Sequence, residues 1–122
     1  MVSNRPFDVI IIGSGSVGTP TAFFLAEGGL RTLVIDRLPS PGQGSNKSAI
    51  GGLRATHSDP AKIRLCLRSL EIISTWKERY GDDLEWHKGG YCYVAYRPEE
   101  EKLLKDLLVV QHAFGLNVRV RQ

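Results

Sequence analysis

Three glycines at fixed spacing, Gly13, Gly15 and Gly18, stand between an apolar run and a stretch of helical periodicity. The run, Phe7 to Ile12, is rich in β-branched residues and almost continuously apolar, which suits a strand buried on both faces of a parallel sheet; Gly13 ends it. After the glycines, Val17, Thr21, Phe24, Leu25 and Gly28 recur at helical spacing, with Pro20 in the first turn, where a missing N–H costs little. Gly28 and Gly29 supply a left-handed stop. Thr32 to Ile35 is a second short β-branched run, closed by Asp36. Residues 7–36 therefore read as one β–α–β unit, and a chain carrying it belongs to the α/β class, with a Rossmann-like parallel sheet flanked by helices.

The order strand, glycines, helix, strand, acid is what gives the pattern chemical meaning. Gly13-Ser14-Gly15-Ser16-Val17-Gly18 fits G-x-G-x-x-G: Gly13 permits the tight turn, Gly15 lets backbone approach a pyrophosphate, and Gly18 lets helix and strand pack closely. Unpaired N–H groups at the helix start face the phosphates, where the helix dipole favours negative charge. Asp36 is placed to accept hydrogen bonds from the adenosine ribose, and its charge opposes a 2′-phosphate, which disfavours NADP. A bare tight turn is the competing reading, and the elements in register around it outweigh that. The fingerprint leaves NAD and FAD open, since both present ADP.

Beyond the unit, residues 37–60 hold three Pro, four Gly and five Ser or Thr, an irregular segment of the length that is usually functional or disordered. Asp59-Pro60 reads as N-cap and first position of a helix over 60–80, with Ile63, Cys66, Leu67, Leu70, Ile73, Trp76 and Tyr80 on one face and Gly81 as its stop. Tyr91 to Tyr96 reads as an aromatic strand. Arg97-Pro98 and three glutamates open a further helix with Leu103, Leu104, Leu107, Leu108 and Val110 on its buried side; Gly115 closes it and Leu116 to Val120 starts another strand.

Several function classes are excluded by composition. With 122 residues the chain is one globular unit rather than two full domains, and its net charge of +3 is spread too evenly to form a nucleic-acid patch. Cys66 and Cys92 form neither a disulfide framework nor a zinc set and read as core thiols, so no metal site is expected. The longest apolar stretch, Val9 to Ile12, is far short of the roughly 20 residues of a membrane span and of the about 7–15 of a secretory core, which points to a reducing cytoplasm.

A family resemblance separates FAD from NAD. The run from Asp8 through Gly18, then Ala22 to Gly29, Leu33 to Arg37, Gly44-Ser45, Gly51-Gly52-Leu53-Arg54 and the helix through Leu67 to Leu70 resembles the N-terminal region of FAD-dependent amine oxidoreductases. These include D-amino acid oxidase, glycine oxidase, monomeric sarcosine oxidase and flavin subunits of sarcosine and dye-linked proline dehydrogenases. Lys88-Gly89-Gly90-Tyr91 resembles the strand that opens that family's substrate domain. The resemblance implies that Gly13, Gly15, Ser16, Val17 and Gly18 hold the FAD pyrophosphate and that Asp36, with Arg37 beside it, meets the adenosine ribose. It further implies that Ser45, Asn46, Lys47 and Ser48 run along the diphosphate and that Gly51, Gly52 and Leu53 pass the flavin ring. Arg54 matches an Arg of the sarcosine oxidase branch, but Gly51 stands where that branch commonly has a second Arg, so its flavin-side electrostatics do not carry over unchanged; the branch's His before the loop is also missing, which weakens sarcosine itself as substrate.

Other residues carry less. Lys47 and Arg54 are candidates to neutralise phosphate or reduced flavin, while His57, His87 and His112 read as capping or packing residues, so no catalytic side chain is named. Tyr91 and Tyr93 share one side of their segment and Tyr96 points opposite, a pattern that favours packing over a stacking platform.

The domain expectation is residues 1–88 as the N-terminal part of an FAD-binding domain and 89–122 as the start of a substrate domain, incomplete relative to the family's two-domain fold. The function implied is oxidation of a small secondary amine or amino acid by hydride transfer to flavin, with a missing domain or partner subunit completing the pocket. On this reading the isolated chain binds FAD weakly at most and does not turn over. The alternatives are a stand-alone subunit that completes a partner flavoprotein, and an NAD-binding Rossmann protein.

Overall fold

The computed structural model describes residues 6–121, which divide between Gly51 and Gly52 into two compact units. In the first, β1 (Val9–Ile12), α1 (Gly18–Glu27) and β2 (Thr32–Ile35) form the expected crossover. The strands pair in parallel, Val9 opposite Thr32 through Ile12 opposite Ile35. α1 packs on both strands, and Val9 and Ile11 are partly covered while Ile10 and Ile12 stay exposed. β1 is thus covered on one face among the described residues, not on the two its unbroken apolar run suggests.

Both ends of the crossover are fixed by hydrogen bonds. Gly29, at φ +86, closes α1 with Leu30 N donating to Leu25 O at 3.0 Å and Gly29 N to Ala26 O at 2.9 Å, the paired bonds of a Schellman cap. Arg31 N then donates to the Asp8 carboxylate at 2.8 Å and Asp8 N to Arg31 O at 2.9 Å, which sets the register in which β2 enters beside β1. A short 3₁₀ turn, Ser45–Ser48, interrupts the long loop that follows.

The second unit contains α2 (Pro60–Ser74), α3 (Trp76–Tyr80) and α4 (Pro98–Ala113). Asp59 caps α2 as its sequence indicates, accepting from Ala61 N at 2.8 Å and Lys62 N at 3.0 Å. The expected single helix over 60–80 is two helices. Thr75 leaves helical geometry at ψ 4° while its hydroxyl donates back to Glu71 O at 2.8 Å, a local bond that competes with the helix ladder. Ala55, Ile63 and Gln111 are buried in this unit.

Two expected strands are not formed. Residues 91–96 and 116–120 have no ladder partner among the described residues, and a strand without one has nowhere to place its backbone groups. The second segment instead finishes α4: Leu116 N donates to Gln111 O, and His112 Nε2 lies 2.8 Å from Val118 O. Leu103 and Cys92 are exposed, against their expected burial, while Cys66 is half-buried. At the head of α4, the Glu100 carboxylate accepts from Tyr96 N at 3.0 Å and Arg97 N at 3.2 Å, a more specific role than the dipole alone assigns to the glutamates. No helix of the described residues is long and apolar enough to cross a membrane.

Candidate dinucleotide site

The loop between β1 and α1 is shaped by two glycines. Gly13 sits at φ +104, a region closed to most side chains, and its N–H donates to Ile35 O at 2.8 Å, joining the loop to the end of β2. A Cβ on Gly18 would lie 1.9 Å from Gly13 O and 3.3 Å from Ile11 Cγ2, so only glycine lets α1 come this close to β1. At Gly15 a Cβ would meet nothing within 4 Å; there the backbone faces open space.

That space is a cleft of about 520 Å³, in the size range of small-molecule sites. One wall is Gly13, Gly15, Ser16, Val17 and Gly18, with Thr21 and the end of β1; the other is Gly44, Ser45 and Asn46. Thr19 N donates to Gly15 O and Thr21 N to Val17 O, but the N–H groups of Gly15, Ser16, Val17 and Gly18 have no acceptor among the described residues. Four free amides at the positive end of a helix dipole suit an anion with several oxygens.

Asp36 is aimed at this loop. Its Oδ2 accepts from Ser14 N at 2.6 Å and Ser14 Oγ at 2.7 Å, and its Oδ1 from Leu38 N at 2.8 Å. Led by the Leu38 amide and then by Ser14's two donors, these bonds lower the carboxyl pKa from 3.8 to about 2, so Asp36 is charged throughout the neutral range. Ser14, which the glycine pattern treats as a free position, is buried, and its carbonyl also accepts from Gly42 N and Thr19 Oγ1, both at 3.0 Å. The signal for it was a hydroxyl between two glycines with an acid at the end of the next strand. Ile11, Ile12, Thr21 and Gly44 line the cleft without having been site candidates.

The remaining candidates are dispersed. Arg37, Lys47 and Ser48 are exposed and do not line the cleft, and Gly51 ends the first unit. Gly52, Leu53 and Arg54 belong to the second. There the Arg54 guanidinium lies 5.8 Å from the Tyr91 ring centroid and 5.9 Å from that of Tyr93, whose hydroxyl is 2.7 Å from Thr56 Oγ1. The two rings therefore share a side as their spacing implies, although no strand presents them. Among the described residues no group of His, Cys, Asp and Glu could hold a metal ion.

Known proteins resemble the chain over most of its length. The chain is 27% identical to "FAD-dependent oxidoreductase domain-containing protein 1" of Xenopus laevis across 91% of its own length and 24% of that protein's. It is 34% identical to a monomeric sarcosine oxidase of Streptomyces avermitilis across 69% of its length and 22% of the relative's. The crystal structure of L-proline dehydrogenase from P. horikoshii superposes with a TM-score of 0.82 at 32% identity, covering 91% of this chain and 29% of that one. The chain thus spans about a quarter of the length of the curated relatives it matches. Residues 8–121 match the family model described as FAD dependent oxidoreductase, and the chain belongs to that FAD-using family.

Proposed function

We propose that this chain supplies the adenosine-diphosphate-binding part of an FAD-dependent oxidoreductase that acts on a small secondary amine or amino acid. The observation that carries the proposal is the open glycine loop, with four unclaimed amides on one side and a fixed, charged carboxylate beside it. The residues fit the group: Gly15 faces open space that a ligand can fill, and a 520 Å³ cleft adjoins it. In this assignment Gly13, Gly15, Ser16, Val17 and Gly18 hold the diphosphate, and Ser45, Asn46, Lys47 and Ser48 run along it. Asp36, with Arg37 next to it, meets the ribose. Gly51, Gly52 and Leu53 pass the flavin, and Arg54, backed by two tyrosine rings, offers positive charge there.

Bound FAD supplies a two-electron acceptor for the amine; the chain's own residues bind and orient it. The names of the sarcosine oxidase and the proline dehydrogenase support the substrate class. Residues 1–88 fall to the cofactor domain in this scheme and 89–122 to the opening of the substrate domain, with a further domain or partner subunit completing the pocket. The free thiols of Cys66 and Cys92 accord with a reducing cytoplasm. Calorimetric titration of the full chain tests the reading. ADP and FAD are expected to compete for one site while FMN, which lacks the adenosine half, does not; FMN competing as well as ADP would sink the assignment.

A further inference from the structure

The two walls of the cleft come from stretches far apart in sequence, the glycine loop at 13–18 and the turn at 44–46, and Ser14 ties them together. It holds both ends of the segment between. At the near end its N–H and hydroxyl donate to the Asp36 carboxylate at 2.6 and 2.7 Å; that carboxylate also accepts from Leu38 N at 2.8 Å and from the Arg37 amide. At the far end the Ser14 carbonyl accepts from Gly42 N at 3.0 Å. Among the described residues this is the one hydrogen bond that runs from residues 37–48 back to the glycine loop, and Gly44 follows two positions later. Gly42 is half-buried between exposed neighbours, Pro41 and Gln43.

The two anchors differ in strength. Bonds to a charged carboxylate are roughly twice as strong as a neutral backbone bond, and the near end has several of them. The far end has one. Ser14 itself stays in place, because it is buried and Thr19 Oγ1 donates to the same carbonyl at 3.0 Å. Release therefore comes first at Gly42, and it frees Gly44 to Asn46 while leaving Asp36 and the glycine loop where they are. Gly42 takes φ +74, where an L side chain is strained, although a Cβ would have room, 3.7 Å from Asn46 Nδ2.

We infer that residues 37–48 are a strap, buckled to the Ser14 carbonyl by Gly42, which opens while the β–α–β unit stays folded and, once closed, holds Gly44, Ser45 and Asn46 against a bound diphosphate. The inference rests on the diphosphate-site reading above and deepens it. Gly42 is a positioning residue, acting through the wall that it places.

Amide exchange followed by NMR on the full, unmutated chain tests this without any variant. In the free chain the Gly42 N–H should exchange at least about tenfold faster than that of Gly13, whose bond to Ile35 O breaks only with the unit itself. Saturating ADP should then slow Gly42 at least about fivefold. Equal rates for the two amides in the free chain, or a Gly42 rate that ADP leaves unchanged, overturn the inference with the ADP site standing. NMR line shapes during the same titration give the binding rates. Alanine at position 42 is strained only while the strap is buckled, and a free chain escapes the strain by unbuckling. Gly42→Ala should therefore raise ADP dissociation at least about fivefold with association within about twofold; Gly42→Asn, whose side chain tolerates the left-handed region, should stay within about twofold of the unmutated chain in both. Unchanged dissociation in Gly42→Ala overturns the role of Gly42. No binding of ADP to the unmutated chain overturns the site reading and this inference together.

Discussion

Asp36 is the residue where acid sensitivity and ligand choice meet. Its folded-state pKa lies below the ordinary 3.8, at about 2, so the stability it confers is present above about pH 4 and is lost as pH falls through the window between those values. Urea midpoints measured from pH 5 down to pH 2 should show a limb that Asp36→Asn lacks; identical profiles for the two proteins would contradict this. The same substitution removes the charge that opposes a 2′-phosphate, so 2′-phospho-ADP should compete with ADP better in Asp36→Asn than in the unmutated chain. Gly18 makes a separate case. Its Cβ would overlap the Gly13 carbonyl, a backbone atom that cannot rotate away, so Gly18→Ala should lower stability by about 1–3 kcal/mol, read from the urea midpoint. Both residues were legible in the sequence by type and position. Ser14 was not, because the fingerprint fixes the glycines and says nothing of what stands between them.

At the level of elements, local signals were read correctly where the partner is near in sequence. Asp59 before Pro60, Gly29 after α1 and Gly81 after α3 each act within a few residues, and each is found doing so. Replacing Asp59 by Ala should cost about 1 kcal/mol, measurable as a lower thermal midpoint with loss confined to the start of α2 in amide exchange. Strands are a different matter. The sequence of 91–96 has the right residues, but its hydrogen bonds need a partner that no local pattern specifies, and none pairs with it among the described residues. Thr75 fails in the opposite direction: the apolar periodicity runs through it, and a hydroxyl bond to Glu71 wins locally.

Across the whole molecule, little apolar surface is withdrawn from water. Ala55 and Ile63 are the buried hydrophobic residues among those described, and Ile12 of β1 is 85% exposed. A two-stranded sheet is marginal by itself, so a nucleotide that binds only the folded form should raise the melting midpoint with the logarithm of its concentration. At one hundred times its Kd, ADP should add about 2.7 kcal/mol, with amide protection growing over residues 9–36 and little change in α4. An unchanged midpoint would argue that ADP does not select the folded first unit. The four unclaimed amides beside the cleft have a cellular corollary: where a bound cofactor stabilises the folded form against proteases, riboflavin starvation should shorten the polypeptide's lifetime.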